Sequence, residues 1–486
     1  MNEKIISSFL IMFFLINFGF AQDIDIEKTY TISKDAKKGF LGDVKFDPAT
    51  GNYTLSYLTV AKKKYVKFEH YLFDKDFNFV KMEPEELEFA AAKQKYSWWN
   101  FKGEDYFVDG ISADPNLTGT FVLRKVRYNY NYRWLYGDYT LKTDVLEKVK
   151  LRTEEGDKYF YFMDYQDENT GELYVLCGIK DKKDKESIAK NIELLKIDNE
   201  MNVVKKYQKT FTFPGVPDLL DAVTDDDGNV TELTIIFGST KDHKYVRLNS
   251  KLEVLEEVDF TVDETWTAKS LIIADDGYYF YGPSGERSYS VVKFKSGKVM
   301  YNSTTTAEEL GQKLKKPPTQ KKDPEYKGKR LFVDDHLITA EGDLLFTGQL
   351  IQTKYNVVKD ELREVFTNLI TFHYDKDGNL KAQYGVDPRE NNEYVKLNGT
   401  QQFLVEGKNN VYWVIKETKD MGWQYPSIFK INKSNSTIND PVQLGNEQYY
   451  LEYNFPYLES KDKDKLTFFG SDKKGKTIWV CRIRLD

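Results

Sequence analysis

A hairpin phrase repeated along the chain constrains its fold more than any other feature. The phrase has alternating apolar residues, a polar turn that opens on Asp or Asn, and a second strand that ends in charged residues. Residues 74–81 (DKDFNFVK) and 198–205 (DNEMNVVK) are identical at four of eight positions, and residues 375–380 (DKDGNL) repeat the turn. Looser copies occur at residues 144, 249, 295 and 432. A period of two is typical of half-buried β-strands, so the chain is predicted to be all-β.

A second phrase, a Gly or Asn turn followed by a new apolar strand, precedes each hairpin. Its glycines stand at positions 51, 103, 171, 228, 277, 342 and 407, and an eighth copy without glycine lies near residue 464. Eight first turns and seven hairpins leave the last unit one strand short. The segment 24–32 can supply that strand by pairing with the final strand near Trp479, which removes two exposed sheet edges.

Repetition of small sheets on this scale resembles secreted β-propeller proteins in general, over nearly all of the mature chain. The sequence has no WD40, kelch or NHL signature. Residues 471–479 resemble the Asp-box of sialidase-type propellers, with Asp472 and Trp479 each displaced by one position. The count of first turns predicts a propeller of eight blades, with seven as the alternative, closed by the N-terminal strand in the last blade.

The first 21 residues have the features of a signal peptide. Lys4 precedes an apolar stretch over 5–18, and Gly19 and Ala21 suit a peptidase that reads small side chains. We therefore expect export, a mature start at Gln22 and one propeller domain over 22–486. A Lys- and Pro-rich loop insertion is expected at 308–330, with a short helix near 306–314. The chain is expected to end within the last blade, which favours the periplasm over release, and no later segment reads as a membrane span.

The net charge argues against a nucleic-acid partner, and the cysteines and histidines give no sign of a metal site. The net charge of −7 gives no positive field for nucleic acid. Cys177 and Cys481, in apolar strand-like runs, are expected to be buried free thiols. The four histidines are scattered, so no metal or cofactor is expected, and His70 and His373 are expected to pack within blades.

Residues 334–336, Asp-Asp-His, are the one cluster suited to acid/base chemistry. Because neighbouring side chains on a regular strand point to opposite faces, we do not expect these three to act together. No nucleophile elbow is present.

Aromatic side chains concentrate in three places and predict either a binding surface or packing between blades. Rings alternate with Asn over 128–136, where a continuous strand would put them on one face. The predicted binding residues are Trp98, Trp99, Tyr128, Tyr130, Tyr132, Arg133, Trp134 and Trp423.

Missing catalytic motifs and abundant aromatics together predict a non-enzymatic scaffold that holds a protein partner in the cell envelope. The alternative is a glycan-binding or glycan-cleaving propeller, with carboxylates in the central funnel and Tyr and Trp rings as sugar platforms.

Overall fold

The computed structural model describes most of the chain after the predicted leader. The described residues are 24–62, 64–95, 106–133, 138–167, 169–180, 187–211, 215–225, 227–356, 361–388, 393–419, 423–445, 448–452, 457–460 and 464–486. Their strands form eight separate sheets. The predicted fold class, an all-β chain with the eight blades of a β-propeller, is confirmed, and the sheets are called blades 1 to 8 here.

The chain divides into two compact units. The first comprises Met1–Glu104, Leu310–Tyr374 and Leu380–Asp486, and the second comprises Asp105–Glu309 with Asp375–Asn379. Blades 1, 6, 7 and 8 lie in the first unit, and blades 2 to 5 lie in the second.

Strands are numbered in chain order, and those of the first unit are as follows. Blade 1 contains β2 (Phe40–Asp47), β3 (Asn52–Ala61), β4 (Tyr65–Phe73) and β5 (Phe79–Glu88). Blade 6 contains β21 (Leu314–Lys315), β22 (Arg330–Ile338), β23 (Leu344–Asn356), β24 (Glu361–Tyr374) and β25 (Leu380–Val386). Blade 7 contains β26 (Gln402–Glu406), β27 (Asn410–Lys419), β28 (Trp423–Asn432) and β29 (Val442–Gln443). Blade 8 contains β30 (Tyr449–Leu451), β31 (Tyr457–Glu459), β32 (Lys465–Asp472), β33 (Thr477–Arg484) and the N-terminal β1 (Ile24–Thr31).

The second unit follows the same plan. Blade 2 contains β6 (Tyr106–Pro115), β7 (Phe121–Arg133) and β8 (Asp138–Val149). Blade 3 contains β9 (Lys158–Gln166), β10 (Leu173–Lys180), β11 (Asn191–Ile197) and β12 (Val203–Thr210). Blade 4 contains β13 (Val216–Thr224), β14 (Val230–Gly238), β15 (Asp242–Asn249) and β16 (Val254–Thr261). Blade 5 contains β17 (Ser270–Ala274), β18 (Gly277–Ser284), β19 (Ser288–Lys295) and β20 (Lys298–Thr306).

Helices are short and lie between strands. They are α1 (Phe89–Lys95), α2 (Ser187–Lys190), α3 (Ala307–Gln312) and α4 (Glu393–Asn398), besides a 3₁₀ turn at Ala36–Lys38. The helix expected near 306–314 is therefore α3, and a capping box between Thr306 and Glu309 fixes its start. The lysine-rich segment that follows contributes β21, which pairs in parallel with β25. No helix in the described part of the chain is long and apolar enough to cross a membrane.

Apolar side chains on both faces of the blades form the core. Within the first unit, one cluster joins blades 6 and 7 through Leu345 and Trp413, and another joins blades 7 and 8 through Val414 and Phe468. Within the second unit, clusters join blades 2 to 3, 3 to 4 and 4 to 5. Each sheet is too small to bury its own faces, so neighbouring blades bury them.

The N-terminal strand completes blade 8 as the sequence predicts. β1 pairs antiparallel with β33, with Glu27 opposite Cys481 and Thr29 opposite Trp479. The indole of the buried Trp479 donates a hydrogen bond of 2.9 Å to Glu27 Oε1. Asp25 accepts hydrogen bonds from Arg482 and Arg484.

The two cysteines are free and buried, as expected. Cys177 lies in β10 and Cys481 in β33. Burial raises the pKa of both thiols, so they remain protonated and serve as small apolar core residues.

Removing the charge of Asp25 should weaken the attachment of β1. Burial by itself would raise the pKa of Asp25, but hydrogen bonds from Arg484 and Arg482 lower it below the ordinary 3.8. The ionised form is therefore favoured on folding. Asp25→Asn should cost about 2 kcal/mol at pH 7, the size of a hydrogen bond to a charged group.

The loss should shrink as the pH falls below about 4, because wild-type Asp25 then becomes protonated too. Urea denaturation at pH 7 and pH 3 measures both effects. Asp76→Asn is the matched control, since Asp76 is 3.8 Å from Arg482 but 54% exposed. Equal stability of wild type and Asp25→Asn at pH 7 would contradict this assignment.

Candidate functional site

The candidate site begins at a one-residue β-bulge in β22, at the edge of blade 6. Val333 pairs with Gly348 and Asp335 pairs with Thr347, so Asp334 is the extra residue. A Cβ at position 348 would lie 2.1 Å from the carbonyl oxygen of Phe332, so only glycine allows this close approach of β22. A bulge re-aims the side chains around it.

The bulge brings both carboxylates to the first strand of blade 7. Gln402 Nε2 donates to Asp334 Oδ2 at 2.9 Å. The backbone N–H of Leu404 donates to Asp335 Oδ2 at 2.7 Å. The expectation that adjacent side chains would point to opposite faces is wrong here, because that alternation assumes a regular strand.

A buried hydrogen-bond network fixes the orientation of Gln402. Its Oε1 accepts from Trp413 Nε1 at 3.0 Å and from Thr347 Oγ1 at 2.7 Å. Thr347 Oγ1 in turn accepts from Thr371 Oγ1 at 2.8 Å. With the carbonyl end held by two donors, the amide nitrogen must face Asp334, so the carboxylate has a defined position.

The surroundings of the pair raise the pKa of both carboxyl groups, so the protonated acid persists to a higher pH than in an ordinary aspartate. Burial raises the pKa of Asp334 to about 6, with a further increase from the charge of Asp335 and a decrease from the Gln402 hydrogen bond. Burial also raises the pKa of Asp335, opposed by the backbone N–H groups of Leu404 and His336. Burial lowers the pKa of His336, opposed by Asp335, which leaves the imidazole neutral at pH 7.

Asp334 and His336 are nevertheless exposed to solvent, and Asp335 is partly exposed. Solvent therefore reaches these side chains even though the surrounding protein atoms shift their pKa values. An accessible carboxyl group with a raised pKa is characteristic of catalytic acids.

Two exposed aromatic rings accompany the carboxylates. Phe332, two residues before the bulge, is 50% exposed and makes an edge-on contact with Phe366 at 6.0 Å. Tyr457 is 37% exposed and stacks on Phe403 with centroids 4.1 Å apart. Burial raises the pKa of Tyr457 and the charge of Asp335 raises it further, so this hydroxyl lies within the field of the carboxylate pair.

The residues predicted for aromatic binding lie elsewhere in the chain. Trp98, Trp99 and Trp134 are outside the described residues. Tyr128, Tyr130, Tyr132 and Arg133 lie on β7, where Tyr128 is partly buried. Trp423 packs on Tyr450 at 5.0 Å. A binding role for this set stays a prediction.

The other histidines of interest have structural contacts. His373 is fully buried and its Nε2 is 2.9 Å from Asp343 Oδ2, in keeping with the predicted packing role. His70 lies between Ser56 and Glu85. Burial alone would raise the pKa of Asp343, but hydrogen bonds from His373 and Lys381 lower it to about 2.

No protein-family model matches the sequence, and no curated protein matches it either. Among solved structures, a polysaccharide lyase is similar at 10% identity and a TM-score of 0.31, over 92% of this chain and 90% of its own. A GH43 β-1,3-galactosidase is 10% identical, with a TM-score of 0.29, over 77% of this chain and 79% of its own. The NanB sialidase of Streptococcus pneumoniae is 9% identical, with a TM-score of 0.28, over 95% of this chain and 70% of its own.

These similar structures correct the functional expectation. All three are named as enzymes, which contradicts the predicted non-enzymatic scaffold and the leaning against an enzyme, but with TM-scores of 0.28–0.31 they assign no activity to this chain. A protein partner in the cell envelope stays a prediction. At 9–10% identity none of their substrates transfers to this chain, so a substrate has to be inferred from the site's own residues.

Asp334→Asn should stabilise the fold at neutral pH. The raised pKa of about 6 means that folding disfavours the ionised carboxylate. The free energy that folding loses by disfavouring this carboxylate is zero below the pKa of the unfolded state, about 3.9. It grows as the pH rises to about 6 and stays constant above that. Because solvent reaches Asp334, the gain should be below about 1 kcal/mol.

Thermal unfolding at pH 7.5 and pH 3.5 tests this. The midpoint of Asp334→Asn should exceed that of wild type only at the higher pH. Asp377→Asn, at an exposed turn, is the control and should leave the midpoint unchanged at both. A lower midpoint for Asp334→Asn at pH 7.5 would refute the argument.

Proposed function

We propose that this protein is an exported glycan-cleaving enzyme in which Asp334 is the proton donor. The observation that carries the proposal is a solvent-accessible carboxyl group with a pKa of about 6, held by a fixed amide beside a second carboxylate. Two carboxyl groups in different environments are the usual equipment for breaking a glycosidic bond.

The two carboxyl groups would divide the work as follows. Protonated Asp334 donates its proton to the oxygen of the scissile bond, so that the leaving sugar departs as an alcohol. Asp335, whose ionised form the Leu404 N–H favours, supplies the negative charge that stabilises the positive sugar ring or activates water. Gln402 keeps the acid in position throughout.

Phe332 and Tyr457 give the site its preference for sugars. Aromatic faces pack against the C–H faces of sugar rings, and both rings are exposed beside the carboxylates. The ring of Tyr457 stacks on the ring of Phe403, so its orientation is set before a ligand binds.

Activity should depend on both carboxylates. A panel of plant, algal and animal polysaccharides, followed by reducing-end release, identifies the substrate. Asp334→Asn and Asp335→Asn should each lose activity by about 100-fold or more, the usual contribution of a positioned acid or base. Asp377→Asn should retain it. Full activity in Asp334→Asn would remove this residue from the mechanism.

The pH profile tests the role of Asp334 more sharply. Because the donor must be protonated, the rate should fall as the pH rises above about 6. Gln402→Leu removes a hydrogen bond that favours the ionised form, so the alkaline limb should move to higher pH. Gln383→Leu removes a comparably buried amide on β25 of blade 6 and should leave the limb in place.

Export is proposed from the leader at residues 1–21. Its basic start, apolar stretch and small residues before Gln22 support cleavage after Ala21. Expression of the full chain in a Gram-negative host should give a periplasmic protein whose N-terminal peptide begins at Gln22. Recovery of the intact N-terminus from the cytoplasm would contradict the proposal.

A further inference from the structure

A half-buried lysine on blade 7 bears on the kind of glycan that the proposed enzyme accepts, and the inference rests on that proposed function. Alternate residues of β27 face blade 8, since Tyr412 and Val414 belong to the core shared with Phe468 and Trp479. The pairing of β27 with β28 has no register shift, so Lys416 and Thr418 continue the same face.

Lys416 has a neutral partner. Its Nζ donates to Gln401 Oε1 at 2.6 Å. In the part of the chain that the structure describes, Lys416 forms no ion pair, and burial is the only influence on its pKa. Burial lowers the pKa of Lys416, which means that the folded state disfavours its charged ammonium form. An anionic ligand would offset this free-energy cost.

A second polar group on the same face lacks a partner. Thr418 is 1% exposed, and its hydroxyl has no hydrogen-bond partner among the described residues. It is two positions beyond Lys416, so the two groups lie about 7 Å apart along the strand. Close to Thr418, the ring of Trp423 at the start of β28 packs on Tyr450.

The same face connects to the carboxylate pair. Gln401 directly precedes the first strand of blade 7, and its carbonyl accepts a hydrogen bond from Lys416 N. Phe403, two positions later on that strand, stacks on Tyr457. The hydroxyl of Tyr457 lies in the field of Asp335. A sugar ring on Tyr457 would therefore lie near Asp335 and near the strand end at which Gln401 holds Lys416.

We propose that Lys416 and Thr418 form a subsite for an anionic group of the glycan, either a uronate carboxylate or a sulfate ester, next to the sugar that stacks on Tyr457. A carboxylate or sulfate accepts from both the ammonium and the hydroxyl, whereas a neutral sugar leaves the lysine charge uncompensated. The proposed enzyme thus prefers acidic over neutral polysaccharides.

Matched polymers test the charge requirement directly. Polygalacturonate, alginate and chondroitin sulfate are compared with their carboxyl-reduced forms, and chondroitin sulfate also with its desulfated form, by turnover and by binding. Wild type should prefer at least one acidic polymer over its neutralised form by 10-fold or more. If turnover and binding fall when the carboxyl groups are reduced, the recognised group is a uronate. If they fall when the polymer is desulfated, the recognised group is a sulfate ester.

Three variants assign the preference to Lys416. Lys416→Met should abolish it, and Lys416→Arg should keep it. Lys430→Met removes a lysine near Tyr412, at the other end of the sheet, and should also keep it. Unfolding midpoints establish that each variant is folded, and Lys416→Arg keeps the test valid if the methionine variant is not.

The outcomes separate the two proposals. Asp334-dependent cleavage with no preference for charge, or with a preference that survives in Lys416→Met, overturns the anionic subsite and leaves the proposed function intact. Absence of any glycan turnover or binding by wild type overturns both.

Discussion

Burial of two apolar faces per sheet is the constraint on which the rest of the structure depends. Blade 7 turns Trp413 and Ile415 towards blade 6 and Tyr412 and Val414 towards blade 8, and all four are fully buried. A four-stranded sheet with two such faces is stable in water only between neighbours. Burying a polar side chain on either face costs free energy unless the side chain is hydrogen-bonded. Gln402 on the face towards blade 6 and Lys416 on the face towards blade 8 are two such polar side chains.

The core and the candidate site meet at Trp413. Its ring belongs to the cluster shared by blades 6 and 7, and its indole N–H is one of the two donors that fix Gln402. The position of the Asp334 carboxyl group is thus set by core packing, which is more rigid than any loop. The arrangement lowers the free energy of unfolding, because the folded state disfavours the charged form of Asp334. Such losses of stability are typical of functional sites.

Local chemistry explains which parts of the fold were predictable. The turns at 198–202 and 375–379 are as expected, because Asp198 and Asp375 each accept backbone N–H groups within their own turn. Blade 2 differs from the prediction. Residue 144, expected in a hairpin turn, lies inside β8, and the first turn of the blade is at Gly119, where φ is +78°. The site was missed for a different reason. A bulge depends on the partner strand, and neither Gly348 nor Gln402 is a neighbour of Asp334 in the sequence.

A bulged aspartate alone does not make such a site, as blade 4 demonstrates. Asp218 is the extra residue between Pro217 and Leu219 on the first strand of that blade, and burial raises its pKa to about 6 as well, opposed by Lys269. It is followed by leucine instead of a second carboxylate, and the nearby His243 is fully buried, with Nε2 4.0 Å away. The residue two positions before the Asp218 bulge is Val216, which is exposed but aliphatic, whereas the corresponding residue before Asp334 is the aromatic Phe332. What distinguishes Asp334 is its set of partners: a fixed amide, an adjacent carboxylate and exposed aromatic rings, which together make it the candidate proton donor.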